Sequence, residues 1–148
     1  MKNYERILVG VELNPDCDDQ VINRALEFAK EFNSLITTIH VVEHMSSYGA
    51  AYGIAAGTDV EQILVDSAKQ EITKLGNRYN VPATQQLIKI GSAKAVILDE
   101  AERLKADLIV LGSHGRHGIR LLLGSTANAV LHGAKCDVLA VRVKSPDK

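Results

Sequence analysis

Residues 107–128 read Asp107-Leu-Ile-Val-Leu-Gly112-Ser-His-Gly115-Arg-His-Gly118-Ile-Arg-Leu-Leu-Leu-Gly124-Ser-Thr-Ala-Asn128. The apolar run Leu108 to Leu111 suits a strand buried on both faces, and Gly112 follows as its expected end. Glycines 112, 115 and 118 let main-chain N–H groups approach a ligand with no Cβ in the way. Gly124-Ser125-Thr126 then opens a helical pattern, which supplies unpaired N–H donors and the positive end of a helix dipole. Strand, glycine loop and helix start together can hold a phosphate. The same residues have a plainer reading, with Gly112 as a strand end and Gly124-Ser125-Thr126 as a helix cap. No Gly-Lys-Ser or Gly-Lys-Thr occurs, and no Gly-x-Gly-x-x-Gly follows the first strand, so neither standard phosphate fingerprint applies.

Working outward, four more apolar segments alternate with helical patterns. Ile7 to Leu13 reads as a strand closed by Asn14-Pro15, with Asn14 as cap and Pro15 in the first helical turn. Asp16, Asp18 and Asp19 follow where the helix dipole favours negative charge, although three aspartates there suggest a divalent cation as an alternative. Val21, Ile22, Ala25, Leu26, Ala29 and Phe32 make one helical stripe. Leu35 to Val42 is a β-branched strand containing His40, read as a packed core residue. Glu43 to Gly57 is irregular, and its length suits either a loop that moves over a site or a variable connection.

Val60, Ile63, Leu64, Ala68, Ile72, Leu75 and Tyr79 form a second stripe, ended by Asn80-Val81-Pro82. Gln86 to Ile90 is a short strand. Gly91-Ser92 starts a helix whose Val96, Ile97, Ala101 and Leu104 face the core. Ser125 to His132 is a last helix, and Asp137 to Val143 a last strand. Strands alternating with helices imply right-handed crossovers and a parallel sheet covered on both faces. The predicted fold is α/β: a single doubly wound, Rossmann-like, five-stranded parallel sheet in one domain spanning residues 1–148.

Composition narrows the function classes. A length of 148 residues with 46% hydrophobic and 24% charged residues suits one soluble domain. The formal net charge of −1 supplies no pull toward nucleic acid or anionic membrane. Aromatic residues are 4% and tryptophan is absent, which argues against a base-stacking platform. No long apolar run marks a signal peptide or a membrane span. Cys17 and Cys136 form no Cys-x-x-Cys pair and are read as thiols, with the cytoplasm as the expected location.

The segment from Gly112 resembles the nucleotide-binding signature of the universal stress protein family, Gly-x-x-Gly, nine residues, then Gly-Ser or Gly-Thr. Gly112-Ser113-His114-Gly115 matches the first part and Gly124-Ser125 the second, with eight residues between them here, Arg116 to Leu123. The start Ile7-Leu8-Val9-Gly10-Val11 and the end Cys136 to Arg142 match as well, so the resemblance covers essentially the whole chain. It implies the strand order 3-2-1-4-5, whose winding reverses between strands one and four. In such sheets ligands bind beyond the strands' carboxyl ends at that reversal.

The resemblance also implies a set of adenine-nucleotide contacts. Glu12, in Val11-Glu12-Leu13-Asn14, takes the place of the family's aspartate against the adenosine. Val41 matches the residue whose backbone meets the adenine edge. Gly112, Gly115, Gly124, Ser125 and Thr126 match the ribose and phosphate contacts, and Arg116 can add a charge-assisted bond to a phosphate. The implied cofactor is ATP or AMP, with Mg²⁺ as an optional counter-ion. The implied assembly is a homodimer paired through the last strand, Asp137 to Val143, an edge that is a liability unless covered.

No catalytic or metal-ligating residue is assigned. Ser113 beside His114 is no evidence of hydrogen-bonded nucleophile geometry, and His114, His117 and His132 supply no evident convergent ligand set. The leading reading is a universal-stress-type nucleotide-binding protein. The alternatives are a slow ATPase or self-phosphorylating enzyme, with Ser113, Ser125 or Thr126 as acceptors, and a partner-binding protein with an empty pocket. The first alternative lacks the loop lysine and general base usual in phosphoryl transfer. Retention of the signature glycines argues against the second.

Overall fold

The structure is a computed structural model and describes residues 3–43, 60–114 and 124–144. Its elements in chain order are β1 (Arg6–Gly10), α1 (Pro15–Phe32), β2 (Leu35–Val42), α2 (Val60–Tyr79), a 3-10 turn (Ala83–Gln85), β3 (Gln86–Ile90), α3 (Ala93–Arg103), β4 (Leu108–His114), α4 (Ser125–Gly133) and β5 (Asp137–Val143). The five strands form one parallel sheet in the order β3-β2-β1-β4-β5. β1 is central: Ile7 aligns with Ile36 of β2 on one side and Leu108 of β4 on the other.

The apolar runs are unbroken because both faces of the central strands are covered. Ile7, Val9, Leu108 and Val110 pack with Val21, Ile22 and Ala25 of α1 and Ile72 and Leu75 of α2. Leu8, Ile109 and Leu111 point the other way, into Ile97 and Ala101 of α3 and Ala127 and Val130 of α4. The alternation along each strand thus divides the core between two helix pairs.

Three expectations need correction. β1 ends at Gly10 rather than Leu13; Leu13 adopts a left-handed φ of 64°, and the N–H groups of Glu12 and Asn14 turn away from the ladder toward Asp18. β4 does not stop at Gly112. It continues through Ser113 to His114, because β5 offers Val141, Arg142 and Val143 as parallel partners. On α2, Ile63 is 63% exposed and Leu64 37%, while Val65 is buried. The stripe that packs is Val65, Ala68, Ile72, Leu75 and Gly76, one step out of phase with the sequence expectation in its first two turns. The irregular segment expected over Glu43 to Gly57 lies, from residue 44 on, outside the described residues.

Candidate functional site

The loop after β1 is held from several directions. Val11 donates its N–H to the Ile39 carbonyl oxygen (2.9 Å), and His40 donates from Nδ1 to the Val11 carbonyl oxygen (2.9 Å). That bond places the proton of a neutral His40 ring on Nδ1. Glu12 N–H donates to Asp18 Oδ1 (2.9 Å) and Asn14 N–H to Asp18 Oδ2 (3.0 Å). Asp18 is only 2% exposed. Burial raises its carboxyl above the ordinary aspartate value, and the N–H groups of Glu12, Leu13 and Asn14 pull it part of the way back.

This loop delivers Glu12 to the point where the winding reverses. A Cβ built on Gly112 of β4 would lie 3.6 Å from Glu12 Oε2, 3.3 Å from Val21 Cγ2 and 3.1 Å from Val143 Cγ2. The Glu12 carboxylate therefore sits over the bare backbone of β4, in the crevice between β1 and β4. Gly112 lies within β4 and not at its end; a Cβ there would be tight against Val143 and Val21, while its distance to Glu12 is an ordinary contact.

Beside it lies a groove of about 360 Å³. Leu13 of the loop, His40 to Glu43 at the end of β2, and Leu64, Ser67, Ala68 and Glu71 of α2 line it. Its volume falls at the lower end of the ~300–1,000 Å³ usual for small-molecule pockets. Val41 is half-buried in this lining and pairs with Lys89 of β3.

The start of α4 is different in kind. Gly124 has φ 89° and ψ 146°, no side chain among the described residues caps the helix, and its first turn holds no acidic residue. A Cβ at Gly124 would meet nothing within 4 Å. Ser125 is exposed and Thr126 half-buried. The first intrahelical bond runs from Asn128 N–H to the Gly124 carbonyl oxygen (2.9 Å), so the preceding amides have no helical acceptor. Because α4 crosses back between parallel neighbours β4 and β5, this N-terminus faces the carboxyl edge of the sheet, the edge that carries Glu12 and Val41.

Glu12, Val41, Gly112, Gly124, Ser125 and Thr126 are thus placed along that one edge. Gly115 and Arg116 lie outside the described residues, as does His117. Ser113 is buried at 4% exposure, which removes it as a phosphate acceptor and leaves Ser125 and Thr126. The three aspartates of α1 do not converge. Asp18 is engaged by main-chain donors, and Asp19 takes bonds from Arg78 Nη1 (2.9 Å) and the Tyr79 hydroxyl (2.5 Å). Among the described residues, no group of three or more His, Cys, Asp or Glu is placed to hold a metal ion, no helix is long and apolar enough to cross a membrane, and Cys17 and Cys136 form no disulfide.

Two site residues were missed in the sequence. Asp18 was read as charge at a helix start, with a divalent-cation site as the alternative; the available signal was an acid one turn beyond Asn14, where it can reach back to the loop. His40 was read as a packed core residue; it is only half-buried, and its ring fastens Val11 and lines the groove.

The family model described as "Universal stress protein family" matches residues 3–142. Universal stress protein A homolog 2 of Coxiella burnetii is 52% identical over 144 residues, covering 97% of this chain and 99% of that protein. The chain belongs to the universal stress protein family. Solved universal stress proteins share its fold. The one from Archaeoglobus fulgidus in complex with dAMP superimposes with a TM-score of 0.60 at 21% identity, covering 95% of this chain and 99% of that one. A universal stress protein in complex with cAMP gives 0.63 at 19% identity, covering 97% and 100%.

Proposed function

We propose that this universal stress protein binds an adenine nucleotide, ATP or AMP, at the carboxyl edge of its sheet and acts in stress response as a cytoplasmic homodimer. The observation that carries the reading is the open N-terminus of α4. Among the described residues its leading amides have no side-chain cap, and its first turn holds no acid, on the edge where Glu12 lies beside Gly112. An anion there gains the amide donors and the dipole together. In this reading the phosphates lie on Gly124, Ser125 and Thr126, with Gly115 and Arg116 completing the cradle and Mg²⁺ as an optional counter-ion. The ribose hydroxyls meet Glu12 beside Gly112, and the adenine edge meets the backbone of Val41 in the groove. The dAMP and cAMP held by two proteins of the same fold are the right class of ligand.

The homodimer pairs β5 with its copy. That strand is a sheet edge in which Val138, Leu139 and Ala140 are only half-buried, and pairing satisfies its outer main-chain groups. Hydrolysis is the second reading, supported by exposed Ser125 at the same helix start. Calorimetric titration with ATP, ADP and AMP tests binding, and labelled ATP in the same preparation tests turnover and protein labelling. Saturable binding without label transfer is the expected result; absence of binding to all three nucleotides would remove the proposal.

A further inference from the structure

We infer that Asp18 is a positioning residue for the nucleotide site: its buried carboxylate sets where Glu12 meets the ribose. The inference rests on the nucleotide reading above and deepens it. Asp18 has no cationic partner among its hydrogen bonds; its two oxygens accept the amides of Glu12 (2.9 Å) and Asn14 (3.0 Å). A carboxylate kept 2% exposed with only main-chain donors is costly to desolvate. A neutral apolar side chain would fill the same space in the core between α1 and β1 without that cost. What the carboxylate supplies is a two-point hold on a segment that has left the ladder, with Leu13 between the two amides at a φ of 64°. Held amides fix the backbone from which Glu12 projects toward Gly112, where its Oε2 lies 3.6 Å from the position of a Cβ. Side chains whose supports lock them within a fraction of an ångström contribute more than loosely held ones. Asp18 touches no ligand in this arrangement and acts through Glu12.

The test is a coupling experiment on the full chain with ATP and 2′,3′-dideoxy-ATP as probes. For the wild type, loss of the ribose hydroxyls is expected to weaken binding about tenfold, equivalent to about 1.4 kcal/mol. Asp18→Asn keeps the shape but turns an NH₂ toward one of the two amides. It is expected to weaken ATP about tenfold while dideoxy-ATP changes less than twofold, so the discrimination between the two nucleotides collapses. In a Glu12→Ala background the same change is expected to have no further effect on ATP. A general loss of fold cannot produce that pattern. Equal weakening of both nucleotides, or full additivity with Glu12→Ala, overturns the inference. A wild type that binds neither nucleotide overturns the nucleotide reading, and this inference with it. Should Asp18→Asn fail to fold, hydrogen exchange on the wild type decides: the Glu12 and Asn14 amides are expected to exchange at least a hundredfold slower than exposed loop amides. Unprotected amides there overturn the proposed hold.

Discussion

Two helix starts on the same edge of the sheet are finished in opposite ways. At α1, Asn14 Oδ1 accepts the Asp16 N–H (3.2 Å), Pro15 removes one donor, and Asp16 and Asp18 stand in the first turn. Every role that an anion would play there is taken by the protein's own side chains. At α4, Gly124 brings no capping side chain and the first turn no acid. Gly124 also takes a φ of 89°, a conformation that costs other residues about 1–3 kcal/mol. At α1 a side chain caps the helix, whereas Gly124 at α4 gives up only about a few tenths of a kcal/mol relative to such a cap. Amides left without a capping side chain are what the proposed anion site would use.

The comparison can be broken at either end. The largest effect is expected from Gly124→Val, which strains the backbone and sets a branched side chain at the mouth of the amides. ATP affinity is expected to fall more than a hundredfold by calorimetry, with about 1–3 kcal/mol lost from unfolding free energy in denaturant titrations. Retained affinity would show that α4 holds no phosphate. The converse change, Asn14→Ala at α1, is expected to cost about 1 kcal/mol of stability and to leave ATP affinity within twofold. A large affinity loss there would mean that the two termini are not separate in function.

A third probe lies away from the edge and separates stability from binding. Glu100 is buried at 7% exposure; burial pushes its carboxyl up, but hydrogen bonds and charge from Arg103 and from Lys89 (3.1 Å) outweigh this and hold it below the ordinary value. A depressed carboxyl contributes stability above its unfolded-state value, and that contribution is lost as pH falls through the lower folded-state value. Glu100→Gln is therefore expected to cost about 1–2 kcal/mol near pH 7 and almost nothing once the wild-type carboxyl is protonated. Nucleotide affinity at pH 7 should not move. A stability loss that is the same at every pH would show that the ion pairs contribute nothing.

The fold was legible because its two central strands, β1 and β4, obey one rule. Ile7 to Val9 and Leu108 to Leu111 are apolar at every position, which only a strand covered on both faces requires. Helix phase was less legible. Ile63 and Leu64 have the right spacing but are exposed, while Val65, on an adjoining face, packs with Ala68 and with Val42 of β2. The candidate site was named from the glycine pattern and, for Glu12, from the family resemblance alone. It was unreadable where a residue works by reaching back along the chain. Asp18 and Asp19 look alike in sequence, yet one holds a loop and the other joins α1 to Arg78 and Tyr79 of α2. Gly112 was expected to end β4; it instead lies within the strand, where Val143 and Val21 leave little room for a side chain.

The open terminus of α4 is best tested by following main-chain amides by NMR while AMP is added to the wild-type protein. The account predicts saturating shifts at the Ser125, Thr126 and Ala127 amides, with Val41 moving at the same AMP concentration and the Asp16 amide at the start of α1 unmoved. Saturation of the protein with AMP while those three amides stay in place would contradict it.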